Sequence, residues 1–263
     1  MGGSGIHRIK WFTSRPPRPH PYILLNVVHP RYKFIEHAEE VIIDSGVEMF
    51  RNPNVKDYPR NHASRLLRVY AKVRKRTSAK FIYVTVPDYC DDYNPKSLWI
   101  SEDYTNIERT VDNVVRYTER YKWVPWLIPI QGWNRNPESV MRCIRLYREH
   151  GITDRFDYFA VGNLCVEPDA EIAYRTLSIV RRELPDKRIH VFGLKLSALR
   201  RVLPLIDSFD SVAWTRPVDK TLGAKHSCKN AEERARFFER WLEKYNMIVS
   251  SFATSSTLDP FLD

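Results

Sequence analysis

From Tyr22 onward, short β-branched or aromatic runs alternate with longer stretches of helical period, and this alternation narrows the fold more than any other feature of the chain. The strand runs are YILLNVV (Tyr22 to Val28), EVIID (Glu40 to Asp44), KFIYVTV (Lys80 to Val86), WVPWLIPI (Trp123 to Ile130), DYFAV (Asp157 to Val161), RIHVFGL (Arg188 to Leu194) and DSVAW (Asp210 to Trp214), with MIVSSF (Met247 to Phe252) as an eighth. Between them, Ala63, Leu66, Leu67, Tyr70 and Val73 predict a helix from about His62 to Thr77, and similar periods predict helices at Asn106 to Tyr121, Pro137 to His150, Asp169 to Leu184 and Ala231 to Tyr245. Strand and helix in regular turn imply parallel strands joined by crossovers. Seven or eight such units predict a single-domain α/β protein, a (β/α)8 barrel of the TIM type over residues 22–263, rather than an open doubly wound sheet. Residues 1–21 read as an extended basic arm, since Lys10, Arg15 and Arg18 are interleaved with Pro16, Pro17, Pro19 and Pro21.

The absence of a Gly-rich loop of Rossmann or P-loop form argues against a nucleotide cofactor, and no cofactor is expected. No run reaches the roughly 18 apolar residues of a membrane span, and the first residues lack the apolar segment of a secretory signal. Cys90, Cys143, Cys165 and Cys228 form no Cys-x-x-Cys pair, which predicts reduced thiols in a cytoplasmic setting rather than a disulfide framework or a zinc ribbon. Against this neutral background the charge stands out: 42 Lys and Arg face 32 Asp and Glu, a net +10 that suggests a polyanionic partner. Arg65, Arg68, Lys72, Arg74, Lys75 and Arg76 crowd one helix, where they serve either as a solvated face or as phosphate contacts.

In a barrel of this kind chemistry sits at the C-terminal ends of the strands, so the polar residues that follow each apolar run are the candidates. They are Asp44-Ser45-Gly46; Asp88, with Asp91 and Asp92 close behind; Gln131-Gly132-Trp133; Gly162-Asn163; Gly193-Leu194-Lys195; and Asp210 with Thr215-Arg216. Each alone is an ordinary turn or cap residue. Together, three carboxylates and a carboxamide at one mouth suit a polar ring flanked by a nucleophile and an acid/base.

The order and wording of these segments resemble the tRNA-guanine transglycosylases and their DNA-modifying relatives. VIIDSG is similar to that family's strand ending in Asp-Ser-Gly-Gly, VTVPDYC to Phe-Asp-Glu-Cys, IPIQGW to Val-Gln-Gly-Gly, YFAVGNL to Ile-Gly-Gly-Leu, HVFGL to Met-Gly-Val-Gly, and FDSVAWTRP to Phe-Asp-Cys-Val-x-Pro-Thr-Arg. The resemblance implies Asp210 as the nucleophile at the sugar C1′ and Asp44 as the acid/base. It implies Asp88, Gln131 and the backbone at Gly162 on the polar edge of the base, with Ser45 and Gly193 completing that pocket. Arg216 and Lys195 would meet nucleic-acid phosphate. An oxocarbenium-like C1′ is stabilised by an adjacent carboxylate, and the departing purine needs a proton that a second carboxylate can supply.

The departures are informative too. The zinc-binding cysteines of the tRNA enzymes are missing, with only Cys228 beside His226 in that region, so no metal is expected. Val47 and Glu48 replace the second glycine and the base-stacking aromatic, which leaves Phe50, Tyr89 or Trp133 as stacking candidates. The matching segments are compact and no appended RNA-binding domain is expected, which inclines the resemblance toward the branch that exchanges guanine in DNA for a free 7-deazaguanine such as 7-cyano-7-deazaguanine, through a covalent aspartyl-sugar intermediate. tRNA as substrate, a catalytically silent nucleic-acid-binding barrel and a glycosidic hydrolase stay open as alternatives. A helper protein is also left open, with Trp99, Trp126 and Trp133 as surface or rim residues.

Overall fold

A computed structural model describes residues 9–92, 96–165, 167–215 and 230–256, the last four of these without their side chains. Eight strands run in chain order: β1 (Lys10–Phe12), β2 (Tyr22–Asn26), β3 (Glu40–Asp44), β4 (Phe81–Thr85), β5 (Trp126–Ile130), β6 (Tyr158–Val161), β7 (Arg188–Val191) and β8 (Ser208–Asp210). All ladders are parallel, in the order β1-β8-β7-β6-β5-β4-β3-β2. A parallel bridge between Thr13 and Ile23 joins β1 back to β2 and completes the ring. The helices are α1 (His62–Arg74), α2 (Asn106–Arg120), α3 (Val140–Glu149), α4 (Ile152–Arg155), α5 (Ala170–Glu183), α6 (Leu196–Val202) and α7 (Ala231–Ser256). The chain is therefore a (β/α)8 TIM-type barrel, as the alternation predicts.

Period-2 alternation sorts the strand residues into two layers. Ile23, Leu25, Val41, Ile43, Val84, Ile128, Phe159, Val161, Ile189 and Phe209 face outward and join the helices in the main core. Phe12, Leu24, Ile42, Tyr83, Leu127, Tyr158, Ala160 and Phe192 fill the lumen. By the same alternation Asp44 continues the inward row of Glu40 and Ile42, and Asp210 that of Ser208. Helix starts are set locally: Thr105 and Glu108 form a capping box on α2, and the Asp169 side chain accepts from Glu171 N at the start of α5.

Three expectations need correction. The eighth strand is β1, inside the expected arm, so residues 10–12 belong to the barrel; the Pro-rich stretch that follows hides a three-residue run that becomes a strand only through its partner β8. Met247 to Phe252 lies within α7 instead, where Phe238, Trp241, Tyr245 and Ile248 sustain a helical period that the aliphatic run merely ends. That helix packs on the outer wall of β1 and β8, with the Trp241 ring centroid 4.0 Å from that of Trp11 and 6.2 Å from that of Phe209. Finally, the last ladder covers Ser208–Asp210 and not Asp210 to Trp214, where a 3-10 turn at Ala213–Thr215 follows. Asp210 thus ends its strand, as Asp44 does. No helix among the described residues is long and apolar enough to cross a membrane.

Candidate active site

The C-terminal mouth gathers Asp44 from the end of β3, Asp88 just beyond β4, Gln131 and Gly162 directly after β5 and β6, Gly193 after β7, and Asp210 from the end of β8. Gathering follows from register: Asn26 lies opposite Asp44 and Phe12 opposite Asp210, so the inward residues reach one level. Asn26 donates from Nδ2 to Asp44 Oδ2 at 2.9 Å. Asp88 is buried and accepts Ser45 Oγ at 2.7 Å on one oxygen and Gln131 Nε2 on the other, which leaves a lone pair on each. Tyr58 adds a hydrogen bond to the Asp88 carbonyl at 2.8 Å, and its ring lies 4.3 Å from that of buried His62. Burial drives His62 down to about 4, leaving a neutral ring behind Ser45.

Burial, and then the charges of Asp88 and Asp210, push the Asp44 carboxyl up to about 8. Asp88 is pushed up to about 6 by burial, with its Ser45 and Gln131 hydrogen bonds opposing the shift. Asp92 is driven to about 7, again by burial, although its Oδ2 accepts Cys165 N at 3.1 Å. No Lys or Arg among the described residues pairs with Asp44, Asp88 or Asp210. Near neutral pH the mouth therefore holds Asp44 as a carboxylic acid beside an ionised Asp88, the division of labour that acid/base chemistry needs.

Asp210 is held by one hydrogen bond and faced by one buried ring nitrogen. Gly193 N donates to its Oδ1 at 3.1 Å, and His190 Nε2 lies 3.4 Å from the same oxygen. His190 is fully buried; its Nδ1 bonds Ser208 Oγ at 2.9 Å, and Ser208 Oγ bonds Tyr158 OH at 2.6 Å. A chain of buried polar groups thus crosses the lumen to the Asp210 carboxylate.

Two glycines are required by close approach. A Cβ on Gly162 would sit 2.2 Å from Gln131 Nε2, and one on Gly193, at φ +64, would sit 2.5 Å from Cys165 Sγ. Among the described residues Gln131 Oε1 and Asn163 Oδ1 are buried without hydrogen-bond partners, which leaves acceptors at the mouth.

Asp44, Ser45, Asp88, Gln131, Gly162, Gly193 and Asp210 are thus brought to the same end of the barrel. Lys195 stands at its edge and donates to the Glu167 carbonyl at 2.8 Å. Arg216, His226 and Cys228 lie outside the described residues. Asp91 is instead a structural hub, accepting Trp99 Nε1, Asn106 Nδ2 and Asn134 N. Of the stacking candidates, Phe50 and Tyr89 stack on each other at 5.4 Å inside a small side cluster, and Trp133 Nε1 bonds Thr105 Oγ1. Trp126 is core, not rim, with Nε1 on the Tyr121 carbonyl. Among the described residues no group of three or more His, Cys, Asp or Glu is placed to hold a metal ion. Sequence reading missed Asn26 and the His190, Ser208, Tyr158 chain. Asn26 is the polar end of YILLN, a strand exit like the others, whereas His190 sits mid-strand, where only the inward period marks it.

No protein-family model matches the chain, and no curated protein does. Among solved structures it is similar to the N-(5′-phosphoribosyl)anthranilate isomerase of Pyrococcus furiosus, at 15% identity and a TM-score of 0.31, covering 89% of this chain and 100% of that one. It is also similar to the carboxyl transferase domain of Rhizobium etli pyruvate carboxylase solved with pyruvate, at 10% identity and a TM-score of 0.36, covering 92% of this chain. The chain spans about half of that second structure, 48% of its length. Neither is a transglycosylase, and likenesses this loose carry nothing about chemistry.

Proposed function

We propose that this protein is a base-exchanging transglycosylase that acts on guanine within a polynucleotide, DNA in the first instance, and inserts a 7-deazaguanine. The observation that carries the reading is the set of carboxylates at the mouth, with no Lys or Arg paired to them among the described residues, in which Asp44 is pushed up to about 8 beside an Asp210 held by Gly193 N and faced by His190. Asp210 attacks C1′ from the face opposite the base; the C1′–N9 bond breaks, its electron pair leaves with guanine, and Asp44 gives the departing purine a proton. A covalent aspartyl-sugar ester remains. The incoming base returns a proton to Asp44 as its nitrogen attacks C1′ and Asp210 leaves, so atoms and charge balance without an external reagent. Asp88, held by Ser45 and Gln131, offers its remaining lone pairs to the donor edge of the base, while Gly162 keeps that edge clear of a side chain. A guanine in a duplex must be flipped out to reach this mouth.

Denaturing electrophoresis tests the proposal. A retarded covalent band with guanine-containing DNA, absent in Asp210→Asn, is expected; the same band with tRNA alone assigns the reaction to tRNA. If neither acid yields an adduct while native mobility still shifts, the barrel binds without chemistry and the nucleophile assignment falls.

A further inference from the structure

The excess positive charge is concentrated in one βα unit. Between Asp57 and Asp88 the chain has no acidic residue and eight cations: Arg60, Arg65, Arg68, Lys72, Arg74, Lys75, Arg76 and Lys80. These supply +8 of the net +10, and the rest of the protein is nearly neutral. All eight are exposed, and none pairs with a carboxylate among the described residues. Elsewhere arginines on four helices pair with carboxylates: Arg142 with Glu108, Arg148 with Glu183, Arg155 with Glu119, Arg175 with Glu138 and Arg201 with Glu171. A solvated helix face would mix signs in the same way.

The cations are also ordered. At 100° per residue, Arg65, Arg68, Lys72 and Lys75 fall within about 80° of arc and form a stripe about 15 Å long. Arg76 extends it in the following turn, and the Tyr32 ring carries both Lys72, at 4.4 Å, and Arg76, at 5.1 Å. The stripe starts at the mouth. Arg65 Nη2 bonds the Val28 carbonyl at 2.5 Å, and Val28 N bonds Asn26 Oδ1, whose amide holds Asp44.

We propose that this flank of α1 is the track for a polynucleotide backbone, leading one strand across the side of the barrel to the carboxylate mouth. The choice of a polynucleotide rests on the base-exchange reading and on two features of the flank. It begins beside the candidate active site, and α1 exposes no large apolar side chain of the kind that would insert into a lipid surface. Each phosphate neutralised releases counterions, so the stripe sets the salt dependence of binding.

The test is fluorescence anisotropy with a labelled DNA duplex of about two helical turns, read at several salt concentrations and without turnover. Arg68→Gln, Lys72→Gln and Arg76→Gln are combined in one variant. The control combines Arg145→Gln, Arg155→Gln and Arg175→Gln, which removes the same charge from α3, α4 and α5. The α1 variant is expected to lower the slope of log K against log salt by about 3 and to bind about 10²-fold more weakly at roughly 0.15 M salt, with the control unchanged. A labelled tRNA arm shows which nucleic acid uses the track, and a loss with either supports it. Equal losses in both variants, no loss in the α1 variant, or a loss seen only with polyglutamate or phosphatidylserine vesicles overturns it. Stripe-dependent binding with no covalent adduct would remove the base-exchange reading alone.

Discussion

The two ends of this barrel are built on the same strands yet solve opposite electrostatic problems. At the N-terminal end, the inward charges are matched: Lys10 Nζ meets Glu40 Oε1 at 2.6 Å, and the Arg188 guanidinium lies over Tyr158 at 4.4 Å while donating to Tyr83 OH at 2.9 Å. At the C-terminal end, two turns of the period-2 pattern further along β3, Glu40 gives way to Asp44, whose neighbours are Asp88 and Asp210. Like charges held together, with no Lys or Arg paired to them among the described residues, cost stability, and a cluster of this kind points to a role besides holding the fold. The difference teaches where to look: the compensated end supports the barrel, and the uncompensated end is where protonation states are set for use.

The sharpest way to break this contrast is at Asp210. Asp210→Asn is expected to abolish the covalent adduct and to reduce base exchange by at least about 10³-fold while the barrel remains folded, read by adduct electrophoresis and circular dichroism. If exchange survives, the uncompensated end has been misassigned.

Asp44→Asn comes next, with an expected loss of about 10²- to 10⁴-fold in exchange. It also carries a pH signature. The Asp44 pKa is raised on folding, so the folded state holds a proton that the unfolded chain releases near pH 4, and the stability this confers is complete below that pH and lost as pH rises through about 8. Wild-type thermal stability should therefore fall between about pH 4 and 8, and the variant should show a flatter profile. Adduct formation in the wild type should decline above about pH 8, as the acid form disappears. A slope unchanged by the substitution would mean that another group governs it.

Gly162→Ala probes the packing behind the chemistry. The new methyl would meet Gln131 Nε2 at 2.2 Å and push the amide away from Asp88, costing about 1–3 kcal/mol in stability together with weaker base binding. Saturation with free base, compared with denaturant unfolding, separates the two effects.

The smallest effect is expected at the compensated end. Lys10→Met leaves Glu40 buried without its partner, but because the Lys10 side chain is one-third exposed, screening limits the cost to about 1–2 kcal/mol, and activity per folded molecule should be unchanged. A loss of activity there would blur the division between the two ends.

Much of this was legible in the sequence because the signals are local. Six strand runs, five long helices and the polar residues at strand exits each depend on a few consecutive side chains, and the inward or outward sense of each strand residue follows from a period of two. Asp44, Asp88, Gln131 and Asp210 could be picked out because each stands at or just past such an exit. What the sequence could not settle was pairing at a distance. Lys10–Phe12 becomes a strand only because β8, almost two hundred residues away, offers it a ladder, and Met247 to Phe252 stays helical because α7 buries it along an existing stripe. The same holds for function: the rise in the Asp44 pKa, the placement of His190 against Asp210 and the meeting of the α1 stripe with the mouth are properties of burial and proximity. Neither exists until the ring has closed.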